Sequence, residues 1–174
     1  MTSVLKVDTI QNSSGTDAIS QSQFALVVDQ YYMTTDTADT QTPITAWTRT
    51  ANNFSEIGGG MSVSSGLFTF PRTGMYKVYF HVTFDEDGGG SDNNINAIII
   101  GTSDNFSTTF NAAATQTNIT SGNTRSNATI MAFFNCADTA NDKIRFDVSS
   151  QANAQFGTAL NYTMCSFERI GDAV

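Results

Sequence analysis

The sequence has few basic residues, and this shortage limits the partners that the protein can bind. Only 8 of the 174 residues are Lys or Arg, against 16 Asp and Glu, which gives a formal net charge of −8. Nucleic-acid binding needs clustered positive charge to neutralise phosphates, and the sequence contains no basic cluster. The composition therefore predicts a protein that does not bind nucleic acid.

Long apolar runs and closely spaced cysteines are also lacking. No stretch reaches the roughly 18 apolar residues of a membrane-spanning helix, so we expect no membrane insertion. Residues 1–10 include Lys6 and Asp8 and have no long apolar centre, unlike a secretory signal. The two cysteines, Cys136 and Cys165, are too few for a disulfide framework and too far apart for a zinc motif. We interpret both as small buried apolar residues of a protein made in a reducing compartment.

Signals of catalysis are scarce. His81 is the one histidine, and no Ser or Cys stands near it at the spacing of a nucleophile elbow. The glycine runs 58–60 and 88–90 lack the lysine and the following helix of a phosphate-binding loop. We interpret these runs as turns with unusual backbone angles, and we expect neither enzymatic activity nor a cofactor.

Residues that favour β structure are abundant, with 25 Thr, 13 Phe and 5 Tyr. The clearest strand spans residues 75–84, where large apolar side chains recur at every second position. Those on the predicted inner face are Tyr76, Val78, Phe80, Val82 and Phe84. The other face of the same strand is mixed and carries Met75, Lys77, Tyr79, His81 and Thr83.

Further strand candidates follow at short intervals, separated by Gly, Asn, Asp and Ser. They are residues 24–33, 95–100, 127–134, 144–148 and 160–170. Residues 71–74, Pro-Arg-Thr-Gly, predict a tight turn before the clearest strand. The pattern predicts an all-β, antiparallel jelly-roll β-sandwich over residues 24–174.

Residues 1–20 form a separate short arm in this interpretation. An extended apolar segment, residues 4–10, precedes a turn-rich stretch at residues 12–17. The arm is too small to have a core, so its apolar side chains need another surface. Two alternatives are an edge strand of the domain's own sheet and a docking arm that packs on a neighbouring subunit.

Two groups of residues are candidates for ligand contacts. Asp85, Asp87 and Asp92 lie in an acidic, glycine-rich stretch, which is either a solvated loop or, as a weaker alternative, a Ca²⁺ site. Tyr31, Tyr32 and Trp47 could form a platform on which a sugar ring stacks. Packing in the core or in an interface is the other interpretation of these aromatic residues.

The spacing Phe68-x5-Gly74-x-Tyr76-x-Val78-x-Phe80 resembles the signature of the C1q/TNF-like jelly-roll superfamily. Residues 160–170 are similar to the last strand of that fold. The sequence departs from the family at Met61, where an aromatic residue is usual, and at Val78, where Phe is common. The resemblance implies a homotrimer, and the residues we assign to the trimer interface are Met75, Tyr79 and His81.

The segment Ser3-Val4-Leu5-Lys6-Val7-Asp8-Thr9-Ile10-Gln11 resembles the opening of virion structural proteins of marine tailed phages, particularly cyanophages. This resemblance implies a protein made in the host cytoplasm and displayed on the virion surface, attached to other virion proteins. The residues it assigns to anchoring are Leu5, Lys6, Val7, Asp8 and Ile10.

Together the two resemblances predict a trimeric phage surface protein of the tail-fibre or receptor-binding type. A host receptor or surface polysaccharide is the expected partner, with the acidic stretch and the aromatic trio as candidate contacts. The principal alternative is a capsid decoration or cement protein. A cellular C1q-like adhesion module and a carbohydrate-active enzyme are third choices.

Overall fold

A computed structural model of the chain describes residues 9–11, 17–20, 25–35, 37–38, 40–49, 56–86, 90–120, 125–149, 154–156 and 163–174. Four of the predicted anchoring residues, Leu5 to Asp8, and the candidate contact Asp87 lie outside these described residues. Within them the chain is entirely β structure, turns and irregular segments. These ranges accordingly include no helix long and apolar enough to cross a membrane.

Fourteen strands cover most of the described residues. They are β1 (Thr9–Gln11), β2 (Asp17–Ser20), β3 (Val28–Met33), β4 (Thr37–Ala38), β5 (Trp47–Arg49), β6 (Ser62–Ser64), β7 (Leu67–Thr69), β8 (Gly74–Glu86), β9 (Asp92–Thr102), β10 (Phe110–Ile119), β11 (Arg125–Cys136), β12 (Lys143–Ser149), β13 (Ala154–Phe156) and β14 (Met164–Gly171).

Two antiparallel sheets pack face to face as a jelly-roll sandwich. The first sheet has the order β11-β8-β14-β3-β5. On the same side of β8 as β14, strand β13 pairs with residues 84–86 at the end of β8, and β4 pairs with β13. The second sheet has the order β10-β9-β12-β7-β6. The predicted all-β jelly roll is confirmed.

The core lies between the sheets, and β8 supplies its central row. The five side chains predicted to face inward along β8, from Tyr76 to Phe84, are all fully buried. They meet alternating apolar residues of β9 and β12, including Ile99 and Phe146. Val78 and Met61, the two departures from the family pattern, are core residues as well. The inward alternation of β8 is therefore confirmed.

Both cysteines are buried and unbonded, as the sequence analysis predicted. Cys136 ends β11 and Cys165 lies in β14, each with its side chain in the core. Burial raises the pKa of the Cys136 thiol to about 12, so the reactive thiolate form is suppressed. These thiols act as small apolar groups.

The glycine run 58–60 forms the predicted turn with positive φ angles. Gly60 has a φ of 60°, and a Cβ there would approach Asp29 Oδ2 to 2.7 Å. A residue without a side chain lets the chain pass this close to the buried carboxylate. Of the second run, residues 88 and 89 lie outside the described residues.

The end of the arm forms a hairpin of its own. β1 and β2 pair antiparallel, with Thr9 opposite Ser20 and Ile10 opposite Ile19. In the described part of the chain, neither strand pairs with a strand of the sandwich. The edge-strand alternative is therefore wrong for residues 9–11, which pair instead within the arm.

Candidate subunit interface

The outward face of the first sheet carries most of the candidate interface residues. Along β8, Met75, Tyr79 and His81 point away from the core and are all half-buried. The antiparallel register places Met131 of β11 opposite Tyr79, and Phe133 opposite Lys77. The side chain of Met131 is 44% exposed and that of Phe133 is 59% exposed. Large apolar side chains with no cover on a sheet face are typical of an interaction surface.

The same face continues across β14 and β3. Met164 of β14 lies opposite both His81 of β8 and Tyr32 of β3. We call the resulting set the apolar belt, and its members are Tyr32, Tyr79, Met131, Phe133 and Met164. A shallow depression of about 270 Å³ crosses it, lined by Lys77, Tyr79, Met164, Ser166 and Glu168.

The charged side chains beside the apolar belt occur as pairs. Lys77 Nζ lies 4.0 Å from Glu168 Oε2, and Arg125 Nε lies 2.6 Å from Asp85 Oδ1 near the far end of β8. Exposed pairs of this kind contribute little to stability. Their importance here is that a partner surface can cover the belt without burying an unpaired charge of either pair.

His81 is held by hydroxyl groups rather than by charged groups. Thr83 Oγ1 donates to Asn127 Oδ1 at 2.7 Å, so it accepts at 3.4 Å from the Nε2–H of His81. The Nδ1 atom then accepts from Thr129 Oγ1 at 2.7 Å. Burial lowers the pKa of His81, which favours this neutral ring at pH 7. The arrangement suits a structural contact within a partly buried face.

Tyr31 and Trp47 do not lie on the surface, and their assignment as exposed receptor contacts is wrong. Both point into the core, because they occupy inward positions of β3 and β5. Trp47 packs edge-on against three phenylalanine rings at centroid distances of 5.6–6.3 Å. Tyr32 alone faces outward, so the three rings form no common platform. Core packing is the interpretation that the structure supports.

The Tyr31 hydroxyl belongs to a buried ion-pair cluster that the sequence analysis missed. Arg49 donates from Nε and Nη2 to the two oxygens of Asp29, each at 2.9 Å. Arg49 Nη2 also donates to the Tyr31 hydroxyl at 2.9 Å, and that hydroxyl donates to the carbonyl of Met61 at 2.8 Å. Burial, together with the charge of Asp29, raises the pKa of Tyr31 to about 12. The cluster ties β3, β5 and residues 56–61 together.

The acidic candidates do not form one exposed group. Asp85 is half-buried and paired with Arg125, whereas Asp92 is fully buried at the start of β9. The assignment of Asp92 as a surface contact is therefore wrong. Among the side chains that the structure describes, no group of three or more acidic, His or Cys residues could hold a metal ion. The contribution of Asp87 stays a prediction.

Comparisons with solved structures identify the fold as a TNF-like jelly roll. The chain superimposes on murine APRIL at pH 5.0 with a TM-score of 0.63 and 16% identity, over 83% of this chain and 99% of that one. It superimposes on Eiger TNF from S. frugiperda with a TM-score of 0.58 and 10% identity, over 86% and 96%. No family model and no curated protein matches the sequence.

Proposed function

We propose that this TNF-like domain is a non-enzymatic, homotrimeric structural protein of a phage particle. In this proposal the N-terminal arm attaches the domain to other virion proteins, and the exposed end of the sandwich binds a host receptor or polysaccharide. The apolar belt on the outward face of the first sheet is the observation that supports the proposed trimer. The resemblance of residues 3–11 to phage virion proteins supports the location.

The chemistry of the apolar belt supports association of the chain with further copies of itself. Aromatic and Met side chains are enriched in interface cores, where charged groups are depleted. The belt combines exposed Phe133 and Met131 with half-buried Tyr79, and its neighbouring charges are already paired. A closed three-fold ring lets one surface of each chain contact the next chain, so no belt is left open. The C1q/TNF-like resemblance of residues 68–80 favours three chains over two.

Light scattering of the purified chain at micromolar concentration tests the assembly, and we expect the mass of about three chains. The variant Met131→Asp places an unpaired charge in the belt and should yield monomers. Thr45→Asp is the matched control, because Thr45 is exposed and lies outside the belt. A wild-type monomer, or a trimer that tolerates Met131→Asp, would overturn the assembly proposed here.

The role on the particle needs a separate measurement. We expect the protein in purified virions at a copy number that is a multiple of three, located at the tail. Purified protein should bind host cells and envelope polysaccharide saturably and release no sugar fragments. Fragment release would make it a carbohydrate-active enzyme, and a head location without host binding would make it a capsid decoration protein. Absence from virions would refute the phage role altogether.

A further inference from the structure

A second apolar surface lies at the end of the sandwich where the chain enters β3. We call it the basal patch and define it by Leu26, Val28, Ile57 and Ile170. Val28 and Ile57 form an antiparallel bridge, with N–H···O distances of 3.1 and 2.9 Å. The register of β3 with β14, extended by the bond from Arg169 N–H to Val27 O, places Leu26 beside Ile170. The four side chains therefore share the outward face of the first sheet.

The basal patch is uncovered in the single chain. Leu26 is 46% exposed, Ile57 is 49% exposed and Ile170 is 51% exposed. It lies on the same sheet face as the apolar belt, and the two meet in one row across the sheet, where Lys77 and Glu168 stand between Phe133 of the belt and Val28 of the patch. An interface built on the belt therefore adjoins the patch.

Among the described strands, β1 and β2 pair with each other and with no strand of the sandwich. A hairpin of two short strands is marginally stable in water and needs a third strand or an apolar surface. Residues 21–24 connect Ser20 of β2 to Ala25, and the five Cα–Cα steps between these two residues span at most about 18 Å. The hairpin is consequently confined to the basal end of the molecule, the end at which the exposed side chains of the patch lie.

We propose that, in the trimer, the β1–β2 hairpin of each chain packs on the basal patch of a neighbouring chain. The single chain contains the hairpin and still leaves its own patch half exposed, which points to a second copy as the source of the hairpin. Three hairpins and three patches satisfy one another in a closed ring. This inference rests on the trimer of the proposed function. It assigns Ile10 of β1 to the contact between chains, and not to the particle, and leaves residues 3–8 free to bind the particle.

Hydrogen exchange on the full-length protein tests this contact. In the wild-type trimer, we expect the amides of residues 9–11 and 17–20 to exchange about tenfold more slowly than in the double variant Ile57→Asp, Ile170→Asp. The double variant should keep the mass of a trimer, because the apolar belt is unchanged. Thr45→Asp is the control and should keep the wild-type exchange rates.

A monomeric variant tests whether the hairpin packs on the patch of its own chain or on that of a neighbouring chain. In Met131→Asp monomers, the hairpin should lose its protection although the basal patch is intact, and dilution of wild type should have the same effect. Protection that persists in monomers would show docking on the same chain and overturn the inference. Equal exchange in wild-type trimers and the patch variant would overturn it too, while the trimer survives. A wild-type monomer would instead remove the trimer on which the inference rests.

Discussion

Met131 of β11 lies directly opposite Tyr79 of β8, on the face of the sheet that points away from the core. The two residues are 52 positions apart in sequence, and only the pairing of β8 with β11 brings them together. They form the centre of the apolar belt, on which the proposed trimer depends. Their pairing makes the interface testable with single substitutions.

Replacing Tyr79 should separate the effect of charge from the effect of shape. Tyr79→Asp buries an unpaired carboxylate in the interface, and we expect the dissociation constant of the trimer to rise at least about tenfold. Tyr79→Phe keeps the ring and should leave the constant within about threefold of wild type. Sedimentation over a dilution series measures both. Equal constants for Tyr79→Asp and wild type would show that Tyr79 lies outside the interface.

A buried and an exposed phenylalanine should differ sharply in their contribution to folding. Phe146→Ala removes a ring from the centre of the core and should lower the free energy of unfolding by about 3–5 kcal/mol. Phe133→Ala removes an exposed ring and should change it by less than about 0.5 kcal/mol. Urea titration in the monomeric Met131→Asp background gives both values without a contribution from assembly. Similar losses for the two variants would contradict the assigned faces of the sheet.

The Asp29–Arg49 pair should be important for stability because Asp29 is fully buried. Asp29→Ala leaves the Arg49 guanidinium and the N–H groups of Gln30 and Met61 without their carboxylate, and we expect a loss of about 3 kcal/mol. Glu56→Gln is the control, since Glu56 is exposed and lies 3.7 Å from the same Arg49. Thermal unfolding should detect no more than about 0.5 kcal/mol for this control. A loss as large in the control would mean that Glu56, and not Asp29, is the principal partner.

Stability should fall as the pH is lowered from 7 to 5.5. Burial lowers the pKa of His81 in the folded state, so the unfolded chain binds a proton more readily over this range. The contribution of the neutral His81 ring to the free energy of unfolding is complete above the pKa of about 6.5 that His has in the unfolded chain. It is lost as the pH falls toward the lower pKa of His81 in the folded state. His81 is the one histidine, so His81→Gln should flatten this part of the stability profile. An unchanged slope in that variant would assign the pH dependence to other groups.

The alternation of residues 75–84 was sufficient to predict β8, its inner face and the all-β fold. For Tyr31 and Trp47 the sequence left two alternatives, a ligand platform and packing in the core or an interface, because two aromatic residues in a polar sequence have no period that indicates which side is covered. The strand at residues 127–134 was recognised, but the exposure of Met131 and Phe133 was not, since apolar residues occupy both of its faces.

Long-range pairing is what a single sequence could not provide. Asp29 and Arg49 are 20 residues apart and meet only because β3 pairs with β5. A buried carboxylate also breaks the apolar alternation expected of an inward face, so Asp29 carried no signal of its position. Its partner is apparent only from the register of the sheet.

The direction of β3 has a mechanical consequence. This strand enters from the arm at the basal end and is paired with β14 through five successive residue pairs, from Val28–Glu168 to Tyr32–Met164. A pull on the arm, opposed at the far end of the sandwich, acts along the axis of β3. The hydrogen bonds to β14 and β5 then share the load in shear and must break together, whereas a sideways pull would open them one at a time. If the arm anchors the domain as proposed, β3 resists a pull along its axis better than a sideways pull.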